Sequence, residues 1–209
     1  MPARWLVSLA LLLTTSGLAA QPTPEAECEC IWKGSFVDVF PASDLVISAT
    51  VVGGKGNSVD LSVDRKLLGA DEREDIRIWL KAANYCRPEA ETFPIGSQWV
   101  MALNRIDEVI DGGFNPSTPS ISYGRIGDYS LSSCGGYWLS QSENLISGNL
   151  INAPRWVREP EMTPVLLDLI GEHIEGLISQ DSLLEASRED PALQELMLDT
   201  RAFLRGDED

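Results

Sequence analysis

The chain has 209 residues, with 16 basic and 32 acidic side chains, a formal net charge of −16 and 44% hydrophobic residues. That apolar share is enough for one sizeable core plus an appendage. The acidic balance excludes nucleic acid and anionic lipid as partners, because both repel a polyanion; it is also a general solubility device and names no partner.

Residues 1–20 open on Arg4, run through an apolar stretch from Trp5 to Leu13, and leave through small residues ending at Ala20. A basic start, a short apolar core and a small-residue exit predict a cleaved secretory signal, since a spanning helix needs about 20 apolar residues. No later stretch is long and apolar enough to span a bilayer, so the expectation is an extracytoplasmic protein, secreted or periplasmic, with no membrane insertion after cleavage. Residues 21–27 are polar and contain proline, a leader ahead of the first cysteine.

Four cysteines follow: Cys28, Cys30, Cys86 and Cys134. In an oxidising compartment four cysteines predict two disulfides. A Cys-x-Cys pair strains any bridge to itself, which removes Cys28–Cys30 and leaves two pairings open. A zinc site using all four thiolates is the rival, but its ligands usually come as two closely spaced pairs, and Cys86 and Cys134 stand alone.

The segment Ile31 to Phe40 is apolar and fits either a helical turn or an extended strip, ended by Pro41. Asp44 to Val52 is almost continuously apolar and β-branched, as in a strand buried on both faces. Gly53 to Asn57 has turn composition, and Ser58 to Asp64 alternates polar with apolar, so the two flanking segments predict a hairpin. Ile76–Leu80 and Ser97–Leu103 are the third and fourth predicted strands, and Tyr129–Ser133 is a fifth arriving at Cys134. The stretches Lys81 to Gly96 and Asp107 to Gly127, rich in turn formers, read as irregular connections. Five short strands with turns between them predict a small closed or partly closed barrel.

From Trp138 the period changes. Ser140–Ile146 fits a short helix plugging one barrel end. Residues 159–206 read as a helical segment. Thr163-Pro164 and Asp190-Pro191 serve as its start signals, and Leu166, Ile170, Ile174 and Leu177 fall at helical spacing. A helical hairpin packed on the barrel or on itself is the expectation; a dimerisation or partner-docking arm is the alternative.

Catalytic apparatus is sparse. The single histidine, His173, lies between apolar helical positions, and no His-Glu-x-x-His, Gly-x-Ser-x-Gly or phosphate-cradling glycine loop occurs. Ser132-Ser133-Cys134-Gly135-Gly136 has the look of a nucleophile turn without a base partner, and reads as a disulfide anchor. Asp71, Glu72, Glu74 and Asp75, with Asp107, Glu108 and Asp111, read as solvated loop acids; a weak calcium site is the lesser option. Trp79 and Trp99 are assigned to the core, and Trp32 to either the core or an exposed aromatic anchor. The chain is therefore expected not to be an enzyme and to need no cofactor or metal.

The order Cys-x-Cys, about a dozen residues, then Ser43-Asp44-Leu45-Val46-Ile47 resembles the N-terminal domain of tissue inhibitors of metalloproteinases and the wider netrin-like group. Later features fit as well: Arg65 to Gly69, Ile76 to Leu80, the lone Cys86, Ile95 to Leu103, and Tyr129 to Cys134 followed by Trp138. The resemblance spans about Cys28 to Leu150. It implies a mostly β fold with some helix, an OB-fold-like five-stranded barrel over residues 28–157 stapled by Cys28–Cys86 and Cys30–Cys134, followed by the C-terminal helical segment. It also implies that the edge Cys28, Glu29, Cys30, Ile31 and Trp32 binds another protein, with a metallopeptidase among the candidates. In that family the α-amino group and carbonyl of the first cysteine chelate the catalytic zinc, which requires Cys28 to be the mature N-terminus. The alternative function is a non-inhibitory envelope or extracellular scaffold protein docking through its C-terminal helices.

Overall fold

The computed structural model describes residues 28–82, 85–109, 113–114, 122–152 and 164–187. The expected signal, the leader and the second C-terminal start signal at Asp190-Pro191 lie outside these residues. Eight strands form one sheet: β1 (Leu45–Lys55), β2 (Ser58–Leu68), β3 (Asp75–Trp79), β4 (Gln98–Arg105), β5 (Tyr129–Ser130), β6 (Trp138–Ser142), β7 (Leu145–Gly148) and β8 (Val165–Leu166). The helices are α1 (Phe36–Val39), α2 (Leu167–Ile174) and α3 (Gln180–Ala186), with 3₁₀ turns at Phe40–Ala42 and Ala90–Thr92.

The first five strands run in the order β1-β2-β3-β5-β4, and β4 pairs back onto β1, so the barrel closes. Closure is possible because β1 is long and bent. Its register against β2 shifts three times, between Val46 and Ile47, Ser48 and Ala49, and Val51 and Gly53. Each irregularity coils the strand, so one element serves as neighbour to both ends of the sheet. Leu45 to Ala49 are buried at every position, as a strand covered on both faces requires. The predicted hairpin is present, but β1 continues through Gly53 and Gly54 to Lys55. The turn is the two-residue Gly56-Asn57, with Gly56 at φ +61°, a backbone angle that suits glycine.

Two expectations are corrected. The fifth strand is shorter than Tyr129–Ser133: regular pairing stops at Ser130 and resumes at Trp138. Ser130 faces Asn104 and Trp138 faces Met101, so eight steps along one side match three along β4. The surplus is an excursion that carries Cys134 away from the ladder. Ser140–Ile146 is not a helix; it is the heart of the β6–β7 hairpin, turning through Glu143-Asn144 with Glu143 at φ 56°.

The ambiguous segment after Trp32 resolves into α1, whose Phe36, Val37 and Val39 are buried in the core cluster. Its N-terminus is fixed by the Ser35 N–H donating to Asp38 Oδ2 at 2.8 Å and by the Phe36 N–H donating to the Asn149 carbonyl, also at 2.8 Å. At the other end of the described chain, Val165 and Leu166 pair with β7, and the helix begins only at Leu167. The buried stripe of α2 is therefore Leu167, Ile170 and Gly171, whereas Leu166 and Leu177 are exposed. Of the spacing Leu166, Ile170, Ile174, Leu177, the middle two residues do face the core, with Ile170 buried and Ile174 packed against it, while Leu166 precedes the helix and Leu177 follows it. Val165, Leu167, Ile170 and Leu183 join the same core cluster as the barrel strands.

Candidate functional site

Residues 28–34 have no helix or strand of their own, yet they are held firmly. Cys28 bridges Cys86 and Cys30 bridges Cys134, with Cα separations of 5.2 and 5.8 Å. This is the pairing the resemblance implied. Backbone contacts add to it: the Lys33 N–H donates to the Cys134 carbonyl at 2.7 Å, and the Gly136 N–H to the Gly34 carbonyl at 2.9 Å. A third contact joins the other two cysteine segments, where the Ser133 N–H donates to the Cys86 carbonyl at 2.9 Å. All four sulfur atoms consequently lie within 4.8 Å of one another. Ser132, the serine of the nucleophile-like turn, spends its hydroxyl accepting from the Cys134 N–H at 3.1 Å.

Exposure alternates along this edge as in an extended chain. Cys28, Cys30 and Trp32 are half-buried, and Glu29, Ile31 and Lys33 point to solvent. Ile31 is 88% exposed, the highest value among the exposed large apolar side chains of the described residues. The outward apolar group of the edge is thus Ile31, and Trp32 shares the half-buried side with the cysteines.

Beside the first disulfide, Arg87 stacks over the Tyr85 ring at 4.7 Å and donates through Nη1 to the Tyr123 carbonyl at 2.7 Å. Tyr85 and Tyr123 pack ring against ring at 5.3 Å. Burial holds the Arg87 guanidinium below the usual arginine range, with the Tyr85 charge opposing weakly. Among the described residues no carboxylate pairs with it. Sequence gave no sign of this group, because Tyr123 is 36 residues away.

A second polar constellation sits at the opposite flank of β3. Asp71, expected to be a solvated loop acid, is instead the acceptor in a clamp: Arg73 Nη2 reaches Asp71 Oδ2 at 2.6 Å and the Tyr129 hydroxyl donates to the same oxygen at 2.7 Å. The hydrogen bond from Arg73 holds the Asp71 carboxyl far below the usual carboxylate range; burial opposes it, and the Tyr129 hydroxyl and the Arg73 backbone N–H add to the lowering. Tyr129 is pushed up to about 12, chiefly by burial and then by the Asp71 carboxylate. Next to it Asp128 is 1% exposed and accepts from Trp79 Nε1 at 2.9 Å and from Arg125 at 2.9 and 3.1 Å. A groove of about 610 Å³ runs past Asp44, Asp71, Glu72, Arg73, Arg105 and Tyr129. A carboxylate locked ionised by arginine and tyrosine suits a structural clamp and is a poor proton shuttle near neutral pH. Glu72 of the same cluster does remain exposed, 3.5 Å from Lys66, whereas Asp111 lies outside the described residues.

His173 is half-buried, with its Nδ1 3.3 Å from the Ile178 carbonyl and its ring edge-on to Phe40 at 5.8 Å. No helix among the described residues is long and apolar enough to cross a membrane. Comparison of the chain with models of known protein families, with curated proteins and with solved structures returned no match.

Proposed function

We propose that this chain is an exported protein-binding module built on an OB-type barrel, and that it engages another protein through the Cys28–Trp32 edge. The strand order β1-β2-β3-β5-β4 with closure onto β1 supports the OB assignment. The observation that carries the function is Ile31: an 88% exposed apolar side chain on a segment pinned by two disulfides and by backbone hydrogen bonds. A pre-ordered edge loses little conformational entropy on docking, which is what a protruding binding ridge requires. Arg87, stacked on Tyr85 beside the edge, offers a docking carboxylate a half-desolvated cation, where charge pairing is stronger than in open water.

The resemblance to metalloproteinase inhibitors makes zinc metallopeptidases the first partners to try. Burial of Leu167 and Ile170 against the barrel favours the edge over α2 as the docking surface. The test is a panel of zinc metallopeptidases assayed with the oxidised exported protein and its Ile31→Asp variant. The expected result is binding weakened about tenfold or more, which is about 1.4 kcal/mol, with an unchanged melting temperature. Equal binding by the variant overturns the edge reading. N-terminal sequencing of the exported protein belongs to the same experiment. A chain starting at Cys28 carries a free α-amine able to chelate zinc, whereas a chain starting earlier has an amide there and binds without chelating.

A further inference from the structure

We propose that the four cysteines form a second-state metal site: once both disulfides are reduced, the folded chain binds one tetrahedral d¹⁰ cation of the zinc class through Cys28, Cys30, Cys86 and Cys134. The sulfurs lie within 4.8 Å of one another across three separate chain segments. Zinc–sulfur bonds of about 2.3 Å place the sulfurs of a tetrahedral site about 3.8 Å apart, so small side-chain rotations suffice to close the cage. From the sequence a four-thiolate zinc site is only the rival to two disulfides, because Cys86 and Cys134 do not form a closely spaced pair.

The cage does not depend on the bridges alone. The Lys33 N–H to Cys134 carbonyl bond at 2.7 Å and the Ser133 N–H to Cys86 carbonyl bond at 2.9 Å hold the three segments together when the sulfurs are free. Access is available too: Cys28, Cys30 and Cys86 are half-buried, and Cys134 is 6% exposed. Charge fits as well. Four thiolates around a divalent cation leave a net charge of −2, and the exposed Lys33 and the Arg87 that follows Cys86 are the cations next to them in the chain. Nearby cations favour thiolate over thiol.

The chemistry balances as follows. Each disulfide takes two electrons and becomes two thiols: an external dithiol supplies the two electrons and two protons and is itself oxidised to a disulfide, whereas a phosphine supplies the two electrons and becomes the phosphine oxide, with water giving both protons and the oxygen. Binding then releases four protons from the four thiols, and each sulfur gives a lone pair to the metal. Soft thiolate ligands in tetrahedral geometry select zinc-class ions over calcium or magnesium.

The experiment uses the full exported chain, reduced with a phosphine under anaerobic conditions and titrated with Co²⁺, then with Zn²⁺. The expected result is one equivalent of Co²⁺ bound, with thiolate charge-transfer bands and the intense visible bands of tetrahedral cobalt, both abolished by Zn²⁺. The oxidised chain gives neither band. A second readout is thermal: one equivalent of Zn²⁺ raises the melting temperature of the reduced chain and leaves that of the oxidised chain unchanged. Absence of the bands in the reduced chain overturns the proposal, as does an unaltered spectrum and stoichiometry in Cys86→Ser. Reduction that unfolds the chain without recovery on adding Zn²⁺ overturns it as well, since the site needs the folded cage.

Discussion

Asp71 and Tyr129 couple two remote parts of the chain, and their coupling has a pH signature. A carboxyl held below its ordinary value of about 3.9 contributes stability that is present above that value and lost as pH falls through the folded one. Acid unfolding of the chain should therefore show a component below about pH 4 that Asp71→Asn removes. Tyr129 has the opposite sign. Its folded value near 12 is above the ordinary value, so its contribution is present below about pH 10 and lost between there and about 12. Tyr129→Phe should cost about 1.5–3 kcal/mol at neutral pH, the range for a hydrogen bond to a charged group, and should flatten the alkaline limb. Urea unfolding across the pH range measures both; a pH profile unchanged in Asp71→Asn would show that the clamp contributes nothing. Sequence located Asp71 in an acidic cluster but gave it to solvent, because its partner Tyr129 is 58 residues away.

Among the elements, the β6–β7 hairpin is held against the barrel by an aromatic contact. Phe93, 2% exposed, sits edge-on to Trp99 of β4 at 5.2 Å and to Trp138 of β6 at 5.9 Å. Edge-to-face pairs add about 0.5–1.5 kcal/mol each to the burial of the ring. Phe93→Ala should lower stability by about 3–5 kcal/mol, with fluorescence changes from both tryptophans; a loss under 1 kcal/mol would mean the site collapses without a cavity. The hairpin was misread as a helix because its turn, Glu143-Asn144, lacks glycine, although Glu143 takes φ 56°. Without the usual turn signal, a short apolar run does not separate strand from helix. Gly69, by contrast, directly follows the last residue of β2. At φ +98° a Cβ there would lie 2.5 Å from the Asp44 carbonyl, so the close approach admits glycine alone.

For the whole molecule, the segment beyond the barrel is part of the core. Val165, Leu167, Ile170 and Leu183 are each 7% exposed or less, and Arg65 of β2 forms an ion pair with Asp168 of α2. Truncation before Glu159 should therefore remove buried side chains and lower the melting temperature, where loss of a detachable arm would leave it unchanged. Calorimetry of the truncated chain distinguishes the two, and an unaltered transition overturns the shared-core description. The disulfides act at the same scale. They close loops of 58 and 104 residues, worth about 4 and about 5 kcal/mol in the chain-entropy account, though overlapping loops do not add.

Local information determined a good deal. Apolar alternation and turn residues located the β1–β2 hairpin and the strands β3 and β4, because those signals are carried by neighbours within a few residues. Composition and the Cys-x-Cys strain argument reduced the disulfide pairings to two, and no local rule could choose between them. The family resemblance implied one of the two, and the folded barrel makes it by bringing Cys86 to Cys28 and Cys134 to Cys30. The interrupted fifth strand, the Asp71–Tyr129 clamp, the Arg87 stack and the four-sulfur cluster belong to the same category. Asp71 and Tyr129 are 58 residues apart, Arg87 and Tyr123 are 36, and the bridged cysteines are 58 and 104, so these groups meet only in the folded chain. Long-range contacts leave no periodic trace in sequence, so tertiary structure alone decided them.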